Sequence, residues 1–527
     1  MAMSGISASV LQRIVDQSHV RPDAVALQRS DGTGVLWYGD LVAEVERLAV
    51  SLHELSVGTG SRVIVLSDNG PETYLSVLAC ARLNAIAVMV DGGLPAATIA
   101  RFCEVTEPRA ILVTPGCGVS SPLSANQDEI PTLAVNAGGG EPAGTSALGD
   151  IENCPADTPL AMIFTSGTTG EPKAVLLANR TFFAIPDILQ ENDLDWIDWH
   201  AGETTYSPLP ATHIGGLWWI LNGLMHGSVC VTGGEATSSL VETLNANAVA
   251  SACLVPTLLS RLVSELRCGG ADVPSLRFIG YGGSRAISSD VQFVEAAGVR
   301  TAQVYGLSET GCTALCLPTG DESLAKIEEG AVGRPYPGVQ VRLAEGTATV
   351  PDFTDDNGAV TYGTLWVKSP ANMLGYWNNP RRTAETLVDG WVNTGDLFER
   401  REDGFFYIRG RSSEMIISGG VNVVPDEVDR IAAGVSGVQD AACYEIPDSD
   451  FGALVGLAVV PAMDASDEGV VELKRSIAAT YRRESESIAR PSVIVIVGEI
   501  PRTKSGKVMR SSLAASMAGE RIQEAAT

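Results

Sequence analysis

Apolar positions in the first 305 residues follow two alternating patterns. Continuous apolar runs at 63–66, 85–90 and 110–113 predict buried strands, whereas the spacing in 72–84 is typical of an amphipathic helix. Strands that alternate with helices favour a largely parallel sheet with helices on its faces. The pattern therefore predicts an α/β fold with a large, parallel-rich N-terminal domain.

The segment 118–157 is rich in Gly, Ser, Pro and Ala, which predicts a long irregular connection within the first half of the chain. The pattern then changes twice in the second half. Short strand-like pieces with glycine-rich turns in 363–407 predict a β-rich module. After Arg411 the pattern restarts, with helices predicted over 426–434 and 470–485 and a strand over 453–460. We therefore expect an N-terminal domain of residues 1–410 and a small C-terminal α+β domain of residues 411–527.

Composition narrows the class of protein. The 527 residues are 45% hydrophobic and 19% charged, which is typical of a globular chain with more than one domain. A net charge of −27 argues against nucleic acid or an anionic membrane as a partner, although a local loop can still bind a small anion.

Targeting signals and cysteine spacing predict the compartment. No apolar stretch approaches 18 residues, so no transmembrane segment is predicted, and the N-terminus lacks the basic and apolar regions of a secretory signal. The 10 cysteines are scattered without a metal-binding spacing, which favours buried free thiols in a reducing compartment. A cytoplasmic location is therefore expected.

The segment 164–173 (FTSGTTGEPK) carries the strongest chemical signal. It follows a predicted strand at 160–164 and combines hydroxyls, two glycines and a lysine in one turn, at the residues Thr165, Ser166, Gly167, Thr168, Thr169, Gly170 and Lys173. Backbone N–H groups, hydroxyl donors and one ammonium are the groups that bind a polyphosphate. The lysine does not directly follow a glycine, so this is not a Walker loop. A solvated Gly/Thr turn is the alternative.

Two further segments offer nucleotide and metal contacts. In 305–310 (YGLSET), Tyr305 is predicted to stack on a purine, Ser308 to bond a phosphate oxygen and Glu309 to hold Mg²⁺, and Gly306 belongs to the same cofactor-binding set. The alternative for this segment is an ordinary turn at the end of a strand. In 281–284 (YGGS), Gly282 and Gly283, followed by Ser284, would let the backbone approach a flat base closely.

Three charged residues complete the candidate set. Asp396, predicted on a tight turn, has two oxygens that match two ribose hydroxyls, and Arg411 is close enough in sequence to reach the same ribose. Lys507 lies in the polar loop 501–508 (PRTKSGKV), where a lysine is a suitable mobile charge for an anionic transition state. Taken singly, these residues fit a turn aspartate, a surface arginine and a solvated basic tail better than they fit a binding site.

Six motifs in this order resemble those of the acyl-adenylating enzymes, the superfamily of acyl-CoA synthetases, peptide-synthetase adenylation domains and luciferases. They lie at 165–173, 305–309, 394–396, 410–411, 420–423 and 501–507, and cover nearly the whole chain. More narrowly, 207–216 (SPLPATHIGG) and 410–423 resemble mycobacterial long-chain fatty-acyl-AMP ligases, whose partner is a small stand-alone acyl carrier protein.

The resemblance implies that a carboxylate attacks the α-phosphorus of MgATP to give acyl-AMP, and that a thiol then takes the acyl group. It implies that the small C-terminal domain is mobile. By position, Thr165 and Glu309 resemble the Mg²⁺ and phosphate ligands, and the loop from Ser166 to Lys173 resembles the pyrophosphate-binding loop. Asp396 and Arg411 resemble the ribose contacts.

The resemblance also assigns two residues to the acyl group. Lys507 resembles the lysine that bridges the carboxylate and the phosphate oxygens, and His213 lies where the family has a gate between nucleotide and acyl pocket. No aspartate follows His213 to receive the ammonium of an α-amino acid, so amino acid substrates are disfavoured. The narrower resemblance implies a fatty acid as the substrate. Trp218 and Trp219 are predicted either to line a lipid tunnel or to belong to the core.

The sequence departs from the family pattern at two places. Ser413 stands where relatives carry a charged hinge residue, which leaves open whether the small domain rotates between the half-reactions in the usual way. The stretch 339–363 shows no insertion of the kind many fatty-acyl-AMP ligases have there, which leaves the acceptor open. The absence of an insertion favours coenzyme A as acceptor, whereas the narrower resemblance favours the phosphopantetheine of an acyl carrier protein. A non-catalytic nucleotide-binding module is the third hypothesis, and the presence of both Lys173 and Lys507 disfavours it.

Overall fold

Two structural units share the chain. The computed structural model describes residues 9–117, 130–136, 148, 154–166, 172–233, 238–269, 272–344, 361–411, 414–419, 421–462, 467–484, 489–503 and 508–525. The N-terminal unit comprises the described residues of Met1–Val341 and Trp366–Thr394, and the C-terminal unit those of Arg342–Leu365 and Gly395–Thr527. A domain boundary near Arg411 stays a prediction.

The first part of the N-terminal unit alternates strands with helices, as the apolar pattern predicts. Its elements, in chain order, are α1 (Val10–Val20), β1 (Val25–Arg29), β2 (Leu36–Trp37), α2 (Tyr38–Glu54), β3 (Arg62–Ser67), α3 (Pro71–Arg82), β4 (Ile86–Asp91), α4 (Ala96–Thr106), β5 (Ala110–Val113), β6 (Thr132–Ala134), β7 (Pro159–Ser166), β8 (Pro172–Ala178) and α5 (Asn179–Glu191).

Strands and helices continue to alternate in the rest of the N-terminal unit, up to residue 335. The elements are β9 (Thr204–Ser207), α6 (Ile214–Met225), β10 (Val229–Thr232), α7 (Leu240–Ala246), β11 (Val249–Leu254), α8 (Pro256–Gly269), β12 (Phe278–Gly282), α9 (Ser288–Ala296), β13 (Arg300–Tyr305), the 3₁₀ turn η1 (Ser308–Thr310), β14 (Leu315–Pro318), α10 (Asp321–Glu328) and β15 (Ala331–Pro335).

The segment predicted to be β-rich, 363–407, consists mainly of strands. It is preceded by β16 (Gln340–Ala344), and its elements are β17 (Tyr362–Lys368), β18 (Gly375–Tyr376), α11 (Pro380–Thr386), β19 (Leu387–Val388), β20 (Trp391–Arg400) and β21 (Phe406–Arg411).

Two sheets position the candidate site in the N-terminal unit. In one, β1, β10, β9, β11, β12 and β13 are parallel neighbours, and β14 and β15 are antiparallel additions. In the other, β6, β5, β3, β4 and β7 are parallel, followed by antiparallel β8 and β18. Strands β3 and β4 are buried along almost their whole length, as expected for strands covered on both faces. The predicted α/β class is therefore confirmed.

One local expectation was wrong. The connection 118–157 is not wholly irregular, because β6 within it adds a parallel strand beside β5. After the segment 164–173, β8 returns antiparallel to β7, a pairing that the apolar pattern did not predict. Apolar runs identify strands but not their direction, because the direction depends on which neighbour supplies the hydrogen bonds.

The C-terminal unit contains a three-stranded sheet with helices. Its later elements are β22 (Ile416–Ser418), β23 (Val421–Val423), α12 (Pro425–Ala433), β24 (Val438–Asp448), β25 (Gly452–Pro461), α13 (Asp467–Glu484), β26 (Val493–Ile496) and α14 (Arg510–Ala525). Its core includes Val428, Leu457, Ile477 and Tyr481. Across the described residues, no helix combines the length and apolarity that crossing a bilayer requires.

Candidate active site

The hairpin β7–β8 places Thr165 and Lys173 opposite each other. They are cross-strand partners in an antiparallel ladder, so their side chains emerge on the same face of the sheet. Ser166 ends β7, whereas Gly167, Thr168, Thr169 and Gly170 lie outside the described residues. The hairpin therefore presents a hydroxyl and an ammonium together at the base of the predicted phosphate loop.

Tyr376 links this hairpin to Glu309. It pairs with Val175, which is two residues from Lys173 on β8 and so on the same face. The Lys173 Nζ lies 5.6 Å from the centre of the Tyr376 ring, and the Tyr376 hydroxyl donates to Glu309 Oε1 at 2.8 Å. Burial, and then the neighbouring Glu309 carboxylate, raise the pKa of Tyr376, so its hydroxyl keeps its proton. Sequence reasoning missed Tyr376, which carries no motif signal of its own.

Backbone contacts hold the turn that carries Glu309. The Leu307 N–H donates to Thr310 Oγ1 at 2.8 Å, and the Met373 N–H donates to the Glu309 carbonyl at 2.9 Å. A Cβ at Gly306 would overlap the Cys312 carbonyl, so only glycine fits there. Ser308 begins this turn. Both the main chain and the side chain of Glu309 are thus attached to the segment around β18.

The two segments predicted to approach the base follow neighbouring strands. Strands β12 and β13 are parallel, with Gly282 opposite Val304. Gly283 and Tyr305 each come next in the chain, so both lie at the carboxyl ends of these strands. Gly283 has a φ of +88°, a backbone conformation that favours glycine. Tyr305 is only 8% exposed, and its stacking role stays a prediction.

An asparagine between β3 and α3 holds the loop before His213. Asn69, with a φ of +62°, donates to the Leu209 carbonyl at 3.1 Å and accepts from the Ala211 N–H at 2.9 Å. His213 itself is the N-cap residue of α6. Sequence reasoning missed Asn69, because a contact over 140 residues leaves no local pattern.

The tryptophans after His213 belong to the core. Trp218 and Trp219 are both buried and pack against Trp199, and the Trp219 indole donates to Thr205 Oγ1 at 2.8 Å. These contacts favour the core alternative over the lipid-tunnel alternative for this pair.

Asp396 and Arg411 form an ion pair within the C-terminal unit. They are cross-strand partners on β20 and β21, with 2.8 Å between Arg411 Nε and Asp396 Oδ1. The prediction that Asp396 lies on a tight turn was wrong, because it is inside a ten-residue strand and 2% exposed. Gly395 has a φ of +70°, a backbone conformation that favours glycine, but strand β20 continues on both sides of it.

Lys507 and Ser413 lie outside the described residues, as do 345–360 of the stretch inspected for an insertion. The residues flanking Lys507 are well held. Arg502 forms an isolated bridge with Val508 and an ion pair with Asp440 at 2.8 Å. Arg510 contacts Asp426 at 2.7 Å and Asp429 at 2.8 Å.

The donor set fits a magnesium ion that arrives with a triphosphate. Among the described residues, no group of three or more His, Cys, Asp or Glu side chains could hold a metal. Mg²⁺ is usually bound by one or two carboxylates together with substrate phosphates. One carboxylate from Glu309 and one hydroxyl from Thr165 fit that mode.

Two family models match most of the chain. The family model for AMP-binding enzymes matches residues 14–377, and the model for the AMP-binding enzyme C-terminal domain matches residues 427–507. The chain belongs to the AMP-binding enzyme family. The β7–β8 hairpin and the turn that carries Glu309 both lie in residues 14–377, which the first model matches.

Two curated members of the AMP-binding enzyme family match almost end to end. The fatty acid–[acyl-carrier-protein] ligase MmaC of Mycobacterium marinum is 65% identical over 98% of each chain. The medium/long-chain-fatty-acid–[acyl-carrier-protein] ligase FadD10 of Mycobacterium tuberculosis is 64% identical over 99% of this chain and 98% of its own. The narrower resemblance seen in the sequence is thereby confirmed.

Solved structures support the fold. The o-succinylbenzoate CoA synthetase (MenE) of Bacillus subtilis, in complex with its acyl-adenylate intermediate, superposes with a TM-score of 0.79 at 23% identity. The match covers 95% of this chain and 97% of that one. At this identity the comparison establishes the architecture alone.

Proposed function

We propose that this protein activates a fatty acid with ATP and loads it onto an acyl carrier protein in the cytoplasm. The observation that carries the proposal is the 65% identity, over 98% of both chains, to a fatty acid–[acyl-carrier-protein] ligase. Two contacts support a triphosphate site at the residues that the family resemblance predicts. Thr165 pairs with Lys173, and Tyr376 donates a hydrogen bond to Glu309.

The first step joins the fatty acid to AMP. A carboxylate oxygen of the fatty acid attacks the α-phosphorus of ATP, the bond from that phosphorus to the bridging oxygen breaks, and pyrophosphate leaves. Lys173 and the hairpin tip would neutralise the leaving pyrophosphate, while Glu309 and Thr165 would hold Mg²⁺. When bound, Mg²⁺ neutralises charge on the phosphate oxygens.

The remaining residues orient the nucleotide and the carboxylate. Asp396 and Arg411 would receive the ribose hydroxyls, and the backbone at Gly282, Gly283 and Ser284 would approach the base. Lys507 would bridge the attacking carboxylate and the phosphate oxygens. Because the chemistry is positioning and charge neutralisation, no protein nucleophile is required.

The second step transfers the acyl group. The phosphopantetheine thiol of the carrier attacks the acyl carbonyl after losing its proton, a thioester forms, and AMP leaves with the electrons of the cleaved C–O bond. His213 would lie between the nucleotide and the acyl group during this exchange.

One experiment tests the acceptor directly. The protein is incubated with ATP, Mg²⁺ and radiolabelled fatty acid, and then receives phosphopantetheinylated carrier protein, carrier protein without the prosthetic group, or coenzyme A. We expect label on the phosphopantetheinylated carrier alone. Acyl-CoA as the main product would replace the carrier with coenzyme A, and no acyl-AMP at all would refute the adenylation step.

A further inference from the structure

Tyr376 lies where two separate parts of the candidate site meet. One is the hairpin that carries Lys173, and the other is the 3₁₀ turn that carries Glu309. Tyr376 contacts both side chains, the first with its ring and the second with its hydroxyl. We propose that Tyr376 is a positioning residue for the metal–triphosphate end of the site. The proposal rests on the proposed function.

Tyr376 is itself rigidly held. Its backbone N–H donates to Thr383 Oγ1 at 2.9 Å, and the Thr383 side chain packs so close to Gly375 that a Cβ there would be crowded. Gly375 has a φ of +145°, and Tyr376 is 7% exposed. A side chain fixed by its strand partner on one side and by α11 on the other can orient what it touches.

The hydroxyl orients Glu309 without neutralising it. A hydroxyl that donates at 2.8 Å selects one rotamer of the carboxylate, and the Met373 N–H fixes the main chain of the same residue. An arginine or lysine in this place would orient the carboxylate equally well, but its charge would compete with a divalent cation. A neutral donor therefore suits a carboxylate whose task is to hold Mg²⁺.

The ring restricts Lys173. An ammonium 5.6 Å from the ring centre is attracted by the negative face of the aromatic system. This attraction favours positions of the Lys173 ammonium beside the Tyr376 ring. The two roles use different parts of one side chain, so different substitutions separate them.

Tyr376→Phe removes the hydroxyl and keeps the ring. In a binding titration with a nonhydrolysable ATP analogue, we expect the Mg²⁺ concentration for half-maximal binding to rise about tenfold, because the outer partner of a metal ligand typically contributes 10- to 100-fold in affinity. Binding of the analogue in EDTA should be unchanged. Tyr376→Leu should show the same Mg²⁺ shift and also bind the analogue more weakly in EDTA, because Lys173 loses its ring contact.

The control is Tyr38→Phe. Tyr38 is also buried in the N-terminal unit, and its hydroxyl donates to the Leu224 and Ser228 carbonyls, at 3.1 and 2.8 Å. This variant loses a buried hydroxyl remote from the candidate residues, so its stability should fall while its Mg²⁺ dependence stays that of the wild type. Electron paramagnetic resonance of Mn²⁺ bound with the analogue reports the metal site independently of turnover.

Two outcomes decide between the claims. A wild-type protein that binds neither the analogue nor Mn²⁺ in its presence would refute the proposed function and this inference together. A wild-type protein that binds both, with a Tyr376→Phe variant of equal Mg²⁺ dependence and an unchanged Mn²⁺ spectrum, would overturn the inference alone.

Discussion

Two carboxylates that the family resemblance assigns to one nucleotide have different partners. Glu309, in the N-terminal unit, receives a hydrogen bond from the neutral hydroxyl of Tyr376. Asp396, in the C-terminal unit, pairs with the guanidinium of Arg411. Both contacts measure 2.8 Å, so they differ in the charge of the partner rather than in length.

The difference matches the two predicted ligands. A carboxylate that holds Mg²⁺ must offer negative charge, which a neutral donor leaves in place. A carboxylate that receives ribose hydroxyls must offer oriented lone pairs but needs no net charge, so a guanidinium partner is compatible with that task. We therefore predict that the carboxylate with the neutral partner holds the metal and that the carboxylate with the charged partner receives the ribose.

The largest loss of activity is expected on removing the Lys507 ammonium. This loss is the reference against which the effects of changing Glu309 and Asp396 are compared. Lys507→Ala should lower acyl-AMP formation on the order of 10²–10³-fold, because it removes a charge aimed at the transition state. Acyl transfer from supplied acyl-AMP should persist. Pyrophosphate release and thioester formation are measured separately, with Lys504→Ala as the control in the same loop. Equal loss in both half-reactions would contradict the assignment.

Glu309→Gln tests whether charge is the property that matters in the N-terminal unit. The amide keeps the size and one acceptor oxygen but removes the negative charge, so we expect roughly a 10²-fold loss of acyl-AMP formation, partly offset by high Mg²⁺. Initial rates over a Mg²⁺ series measure this. Glu265→Gln, in α8 and paired with Arg261, is the control. A Glu309→Gln variant with normal Mg²⁺ dependence would remove the distinction between the two carboxylates.

Asp396→Asn should give a smaller and different effect. Losing a hydrogen bond to a charged group should raise the KM for ATP about tenfold, with the Mg²⁺ dependence unchanged. Steady-state kinetics with ATP and with 2′-deoxy-ATP measures the ribose contact, since the variant should discriminate less between them. Glu399→Gln, on the same strand and paired with Arg401, is the matched control. A shift in the Mg²⁺ dependence of the variant would instead indicate that Asp396 binds the metal.

The smallest effect on kinetics is expected at Asn69, because its amide is uncharged. Asn69→Ala should raise the KM for fatty acid by about threefold to tenfold, because the Leu209 carbonyl and the Ala211 N–H lose their partners. Asn69→Gly also removes the amide but accepts the positive φ without strain. Similar kinetics in both variants would assign the effect to the amide, and a loss confined to Asn69→Ala would assign it to backbone strain.

The sequence predicted more of the elements than of their arrangement. The apolar runs at 63–66 and 110–113 became β3 and β5, and the helix predicted over 72–84 became α3, because periodicity reports burial directly. It did not reveal that β8 returns antiparallel, that Asp396 lies within a strand, or that β6 extends a sheet, since each depends on a strand partner distant in the chain.

The residue types of the site were determined by the sequence alone. Hydroxyls, glycines, two carboxylates and two lysines occur at ordered positions that resemble the motifs of acyl-adenylating enzymes, and this resemblance predicts a site for a nucleoside triphosphate. Only the tertiary structure decided that Tyr376 would touch both Lys173 and Glu309, and that Asn69 would hold the loop before His213. Such contacts join residues through sheet register and loop packing, and neither leaves a local pattern along the chain.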